Sequence, residues 1–212
     1  MKGIIFSDPM VRALLEGRKT QTRRVARLNA AGRVARAGKN WHPDDPDAVL
    51  ACPYGRVGDR LYVKEAWKYA DWTDDGHPLI EYRSGGDQWR EDVPEDWSDR
   101  VLDIWATLSD PENYAIDARA ADRRWRSPLH MPCWASRSTL ELTATRIERL
   151  QDIAGADAIA EGIQCPAPTV TPADHAHDCV CAYRDLWDSI HGPDSWAANP
   201  YVWVLTFRRI EG

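Results

Sequence analysis

Four cations fall within seven residues near the start of the chain: Arg18, Lys19, Arg23 and Arg24, in the run Gly17-Arg18-Lys19-Thr20-Gln21-Thr22-Arg23-Arg24. Arginine forks match phosphates and base edges through paired hydrogen bonds, so Arg18, Arg23 and Arg24 are candidate substrate-binding or phosphate-binding residues. The surrounding segment sharpens that reading. Residues 1–40 hold ten basic and two acidic side chains, a charge of +8 on a chain whose formal total is −6. A basic segment on an acidic protein points to a local anionic partner, and the acidic remainder argues against sequence-blind coating of DNA.

A second constellation lies in His175-Ala176-His177-Asp178-Cys179-Val180-Cys181, with Cys165 ten residues earlier. Thiolate and imidazole are the natural ligands of Zn²⁺, and a closed site needs four. Cys165, His175 or His177, Cys179 and Cys181 could supply them. The competing reading is a metal-free loop over about 164–181, because Cys-x-Cys is tighter than usual zinc spacing. The expectation is therefore that no cofactor is required. Five cysteines in a chain with no basic-then-apolar leader predict reduced thiols and a cytoplasmic location. No apolar run reaches the roughly 18 residues of a membrane span.

Eleven tryptophans can serve a core or a base-stacking surface. Tyr54, Trp67 and Trp134 are the candidates for stacking a base, with core packing as the alternative. Lys64 and Glu65 are neighbours on a predicted strand and face opposite ways. Glu65 is the one assigned to a pocket, with a structural ion pair as its alternative. His130 could touch a ligand or serve as a structural histidine.

The elements that position these residues can be read from patterning. Lys2 to Ser7 predicts a strand. Asp8-Pro9 predicts a helix start, and Gly17 its stop, so Arg18 to Arg24 emerges from a helix end. Residues 27–50 read as a loop. Leu61 to Trp67 reads as a strand, and residues 70–127 as an insertion of short strands and loops. Thr139 to Leu150 alternates at period two and is the clearest strand. Asp152 to Ile163 and Tyr183 to Ile190 read as helices, the second stopped by Gly192, and Tyr201 to Phe207 as a closing strand. One domain spans 1–212, of α+β class, as a small mixed barrel flanked by short helices.

These blocks resemble a family. Gly17 to Arg24 is similar to the GRKT-x-T-x-R signature of ASCH-domain proteins, which share the PUA-like fold. Val57 to Val63, Leu140 to Ile163 with Ala160-Glu161-Gly162, and Trp203 to Arg209 resemble the family's later blocks in the same order. Pro53-Tyr54-Gly55, the 70–127 region and Pro128 to Arg137 resemble longer members carried by phages. The resemblance implies a PUA-like barrel. Its shortest members deacetylate N4-acetylcytidine with a Lys, a Thr and a Glu, which fall here on Lys19, Thr22 and Glu161.

The chemistry so implied is hydrolysis of an N4-acylated cytosine nucleoside. A lysine whose pKa is lowered can take the proton from a threonine hydroxyl or from water, and Glu161 can deliver it to the leaving amine. In an extended segment Lys19 and Thr22 would face opposite ways, so their convergence requires a bend. The partners expected are a modified nucleoside or nucleotide, with RNA or single-stranded nucleic acid as a further possibility. A non-catalytic reader of RNA or of modified bases, or a ribonuclease using Lys19 as a charge stabiliser, are the alternatives.

Overall fold

The computed structural model describes residues 1–72, 77–109, 124–165 and 171–210. In chain order its elements are β1 (Lys2–Ile5), α1 (Asp8–Leu15), β2 (Gln21–Val25), β3 (Val34–Arg36), β4 (Lys39–Trp41), β5 (Arg60–Lys64), β6 (Trp67–Trp72) and β7 (Pro78–Tyr82). Then follow β8 (Asp87–Trp89), α2 (Glu95–Ser109), β9 (Thr139–Arg149), α3 (Gly155–Ala160), α4 (Pro172–His191) and β10 (Tyr201–Ile210). The class is α+β, built from several sheets and few helices, and the described residues form no closed barrel.

The chain divides into two compact units, Met1–Arg12 with Tyr62–Thr139, and Ala13–Leu61 with Leu140–Glu211. In the first unit, β6, β7 and β8 form a three-stranded antiparallel sheet. The alternation of Pro78–Tyr82 buries Pro78, Ile80 and Tyr82 on one face. Ile80 and Tyr82 join Trp67, Tyr69, Met131 and Trp134 in an aromatic core. Much of the expected insertion is therefore ordered sheet and helix. Residues 73–76 and 110–123 of it lie outside the described residues.

In the second unit β9, β10 and β2 are successive neighbours, and β10 pairs antiparallel with β2. Val202 and Val204 of β10 pack with Leu150, Ile153, Ala158, Cys179, Tyr183 and Trp187, placing α3 and α4 on one face of the sheet. Two expectations are corrected here. Residues 27–50 contain a β3–β4 hairpin and a 3-10 turn at Pro46–Ala51, which Asp45 caps through its carboxylate. The expected His/Cys loop is helical from Pro172 onward, since Thr171 caps α4 by accepting from the Asp174 N–H. The capping Thr-Pro pair at 171–172 was the signal for that start.

Candidate functional site

Lys19 reaches its position because α1 ends abruptly. Gly17 takes φ +75°, a left-handed conformation suited to glycine, and the Ala13 carbonyl then accepts from both the Arg18 and Lys19 amides, at 2.8 and 3.0 Å. The Thr20 amide donates to the Ala160 carbonyl at 2.8 Å, which ties this bend to the end of α3. Strand β2 starts only at Gln21. The turn therefore lies ahead of the strand, and Thr22 sits within β2 itself.

The Lys19 side chain is 1 % exposed and donates to the Gln21 carbonyl at 2.8 Å, to the Glu161 carbonyl at 2.8 Å and to Glu161 Oε2 at 2.9 Å. Burial lowers its pKa. The charge and hydrogen bond of Glu161 oppose that shift, and Arg24 and Arg23 add to it. Glu161 caps the C-terminus of α3, and Gly162, at φ +88°, turns the chain immediately after it. A Cβ at Gly162 would sit 2.8 Å from the Ala13 Cβ and 3.1 Å from the Lys19 Cβ, so only glycine lets these two turns touch.

Arg23 belongs to the same cluster. Its Nη1 donates to Gln21 Oε1 at 2.7 Å and to Glu161 Oε1 at 3.4 Å; its Nη2 donates to Glu148 Oε1 at 2.7 Å and lies 3.1 Å from Asp157 Oδ2. Burial alone would weaken this cation, but Glu161 and Glu148 outweigh it and raise the Arg23 pKa. The expectation that Arg23 holds a phosphate is corrected: its side chain is 0 % exposed and spent on internal carboxylates. Arg146 extends the network to Glu148 and Asp157. Glu148, Asp157 and Gln21 were missed from sequence. The available signal was parity: Glu148 sits in step with the buried Leu140 and Leu142 along β9.

Thr22 is buried on β2, opposite Leu205. Since the Gln21 and Arg23 side chains meet on one face of the strand, alternation sets Thr22 and Arg24 on the other. The structure thus brings Lys19 and Glu161 together and carries Thr22 on the opposite face from Arg23. Trp203, the register partner of Arg24, lines a cavity of about 400 Å³ with Val25, Arg27, Val34, Pro53 and Tyr54. Of the candidates for stacking a base, Tyr54 lines this cavity; Trp203 and Arg27, which line it too, were not among the sequence candidates. Arg18 donates to Glu16 and to the Gly162 carbonyl at 3.0 Å.

The remaining candidates belong to the first unit. Glu65 is 1 % exposed and paired with Arg137, whose Nε and Nη2 both lie 2.9 Å from its oxygens, with Ser84 as a further donor. This is the structural ion pair, not a pocket carboxylate. Trp67 and Trp134 are buried against each other at 6.4 Å between ring centroids, so both are core. His130 is exposed in a 3-10 turn.

The candidate zinc ligands divide into two groups. Cys165 and Cys179 form a disulfide, against the expectation of reduced thiols: the segment after α3 packs against the core that holds Cys179 of α4, with the two Cα atoms 4.9 Å apart. His175 pairs with Cys179 and His177 with Cys181, each one turn apart on α4. A two-residue offset rotates a helix by about 200°, so the two pairs point away from each other and cannot ligate one ion. Among the described residues no helix is long and apolar enough to cross a membrane. Comparison of the chain with family models, with curated proteins and with solved structures returned no match in any of the three.

Proposed function

We propose that the chain is an amidohydrolase that removes an acyl group from N4-acylated cytosine nucleosides, on an ASCH-type, PUA-like architecture. The observation that carries the reading is the buried contact of 2.9 Å between Lys19 Nζ and Glu161 Oε2. Two backbone carbonyls fix two of the lysine N–H bonds, so the third direction, toward Glu161, is where a proton can move. Burial lowers the Lys19 pKa, which makes its ammonium a readier proton donor. Such a pair suits general acid–base work.

The geometry favours water over Thr22 as nucleophile. A neutral Lys19 would aim its lone pair at Glu161, while Thr22 stands on the opposite face of β2 from Arg23. In the reaction, water adds to the acyl carbon and passes a proton to the pair. The C–N bond then breaks, and the pair returns a proton to the cytosine 4-amino nitrogen. A carboxylic acid and cytidine are the products.

A second reading, a non-catalytic reader of RNA or modified bases, is favoured by the cavity that Tyr54, Trp203 and Arg27 line: two aromatic rings and a cation are a binding set that needs no chemistry. Release of acetate from N4-acetylcytidine by the purified chain separates the two. Turnover that disappears in Glu161→Gln supports the hydrolase. No turnover with any N4-acylcytidine, together with tight oligonucleotide binding, replaces it with the reader.

A further inference from the structure

Cys165, His175 and Cys179 lie apart from the charge cluster and do nothing in the proposed hydrolysis. Their Sγ and ring-nitrogen atoms all lie within 4.8 Å of one another. His175 Nε2 is 3.8 Å from Cys179 Sγ, because positions four apart on α4 stack on one face. Cys179 is fully buried, and His175 Nδ1 is buried with no hydrogen-bond partner among the described residues. Two sulfurs and an imidazole nitrogen, gathered from separate segments, are the ligand chemistry of a borderline-soft divalent ion.

We propose that these three residues form a redox-gated metal site: the disulfide closes it, and the dithiol form binds one Zn²⁺. Reduction delivers two electrons and two protons to the sulfurs, from a dithiol that is itself oxidised to a disulfide. Binding then displaces both thiol protons, since thiolates are the ligands. Tetrahedral Zn²⁺ with Zn–S of ~2.3 Å and Zn–N of ~2.0 Å separates its ligand atoms by about 3.5–3.8 Å. The present cluster reaches that spread once the S–S bond opens. Three protein ligands leave the fourth position to water. His177 and Cys181 face away and take no part.

The inference stands independently of the hydrolase reading, because its readout is metal uptake. The full chain is reduced under argon with a trialkylphosphine, which takes an oxygen from water as it opens the disulfide. Alkylation of a sample counts the two thiols gained. Cobalt(II) is then added as a coloured substitute for zinc. The expected result is one ion per chain, with a thiolate-to-cobalt band in the near ultraviolet and displacement by Zn²⁺. The oxidised chain takes up none. His175→Ala and Cys165→Ser weaken uptake at least tenfold, whereas His177→Ala with Cys181→Ser leaves it unchanged; His175→Ala, on a part-exposed helix face, covers the case in which Cys165→Ser fails to fold. A reduced chain with no thiolate band overturns the proposal. So does uptake equal in both redox states, uptake that depends on Cys181, or a chain that gains no thiols.

Discussion

The Glu161 carboxylate stands 2.9 Å from the Lys19 ammonium, and the two side chains are 5 % and 1 % exposed. Removing one partner of such a pair strands the other. Lys19→Met leaves Glu161 with the longer contact to Arg23 at 3.4 Å, and a loss of about 3–5 kcal/mol is expected. The double variant Lys19→Met with Glu161→Leu strands no charge on that contact and should unfold at higher urea than Lys19→Met alone. Equal midpoints for the two would mean that the contact carries no coupling.

The Lys19 pKa shift has a definite consequence for stability. Its folded pKa lies below the ordinary 10.5, chiefly through burial. Between the folded value and 10.5 the unfolded chain binds more protons at this site, so the Lys19 contribution to stability grows as pH rises through that window. Thermal unfolding of wild type and Lys19→Met, compared across the alkaline range, should show wild type gaining on the variant. A constant difference would place the folded pKa at its ordinary value.

Asp157 behaves with the opposite sign. Burial pushes its pKa up, but Arg23, the Ala154 amide and Arg146 outweigh that and hold it below 3.8. Its stabilisation is complete above 3.8 and is lost as pH falls through the lower folded value. Water screens this partly exposed carboxylate, so Asp157→Asn should cost at most about 1 kcal/mol at neutral pH. In urea unfolding the deficit should vanish in strong acid. A deficit that persists there would locate its cause in packing.

Gly162 joins two turns that the site depends on. Alanine there meets φ +88° and a Cβ contact of 2.8 Å with Ala13, and should cost about 1–3 kcal/mol. Because Glu161 precedes it and the Lys19 Cβ would also be crowded, acetate release should fall by more than stability at the assay temperature explains. The measurement is turnover normalised to the folded fraction; an unchanged normalised rate would separate Gly162 from the site.

The sequence reading went furthest where one local signal sufficed. Asp8-Pro9 and Gly17 bracket α1, and the β-branched alternation of Thr139 to Leu150 marks β9. It failed where partners come from distant segments. Arg23 has the composition of a surface phosphate ligand; only the arrival of Glu148 and Asp157 from β9 and α3 turns it inward. The β3–β4 hairpin is three residues a side, too short for periodicity to register. The Cys165–Cys179 link was hidden because α4 starts at Pro172, inside a stretch whose Pro and His suggested a loop.

Thr22 provides the sharpest division between the two routes of hydrolysis. Its hydroxyl lies in register with Leu205, on the face of β2 opposite the Gln21–Arg23 contact, and Trp203 on that same face lines the cavity with Tyr54. If water is the nucleophile, Thr22→Val should slow acetate release by less than about tenfold, since an orienting hydrogen bond is worth about 0.5–1.5 kcal/mol. Tyr54→Ala should raise KM with little change in kcat, because stacking holds ground state and transition state alike. If Thr22 is acylated, a burst of acetylated protein appears in rapid quench and mass spectrometry, and Thr22→Val abolishes turnover outright. The first outcome assigns the proton work to Lys19 and Glu161; the second requires the Thr22 hydroxyl to swing toward Lys19 when substrate enters.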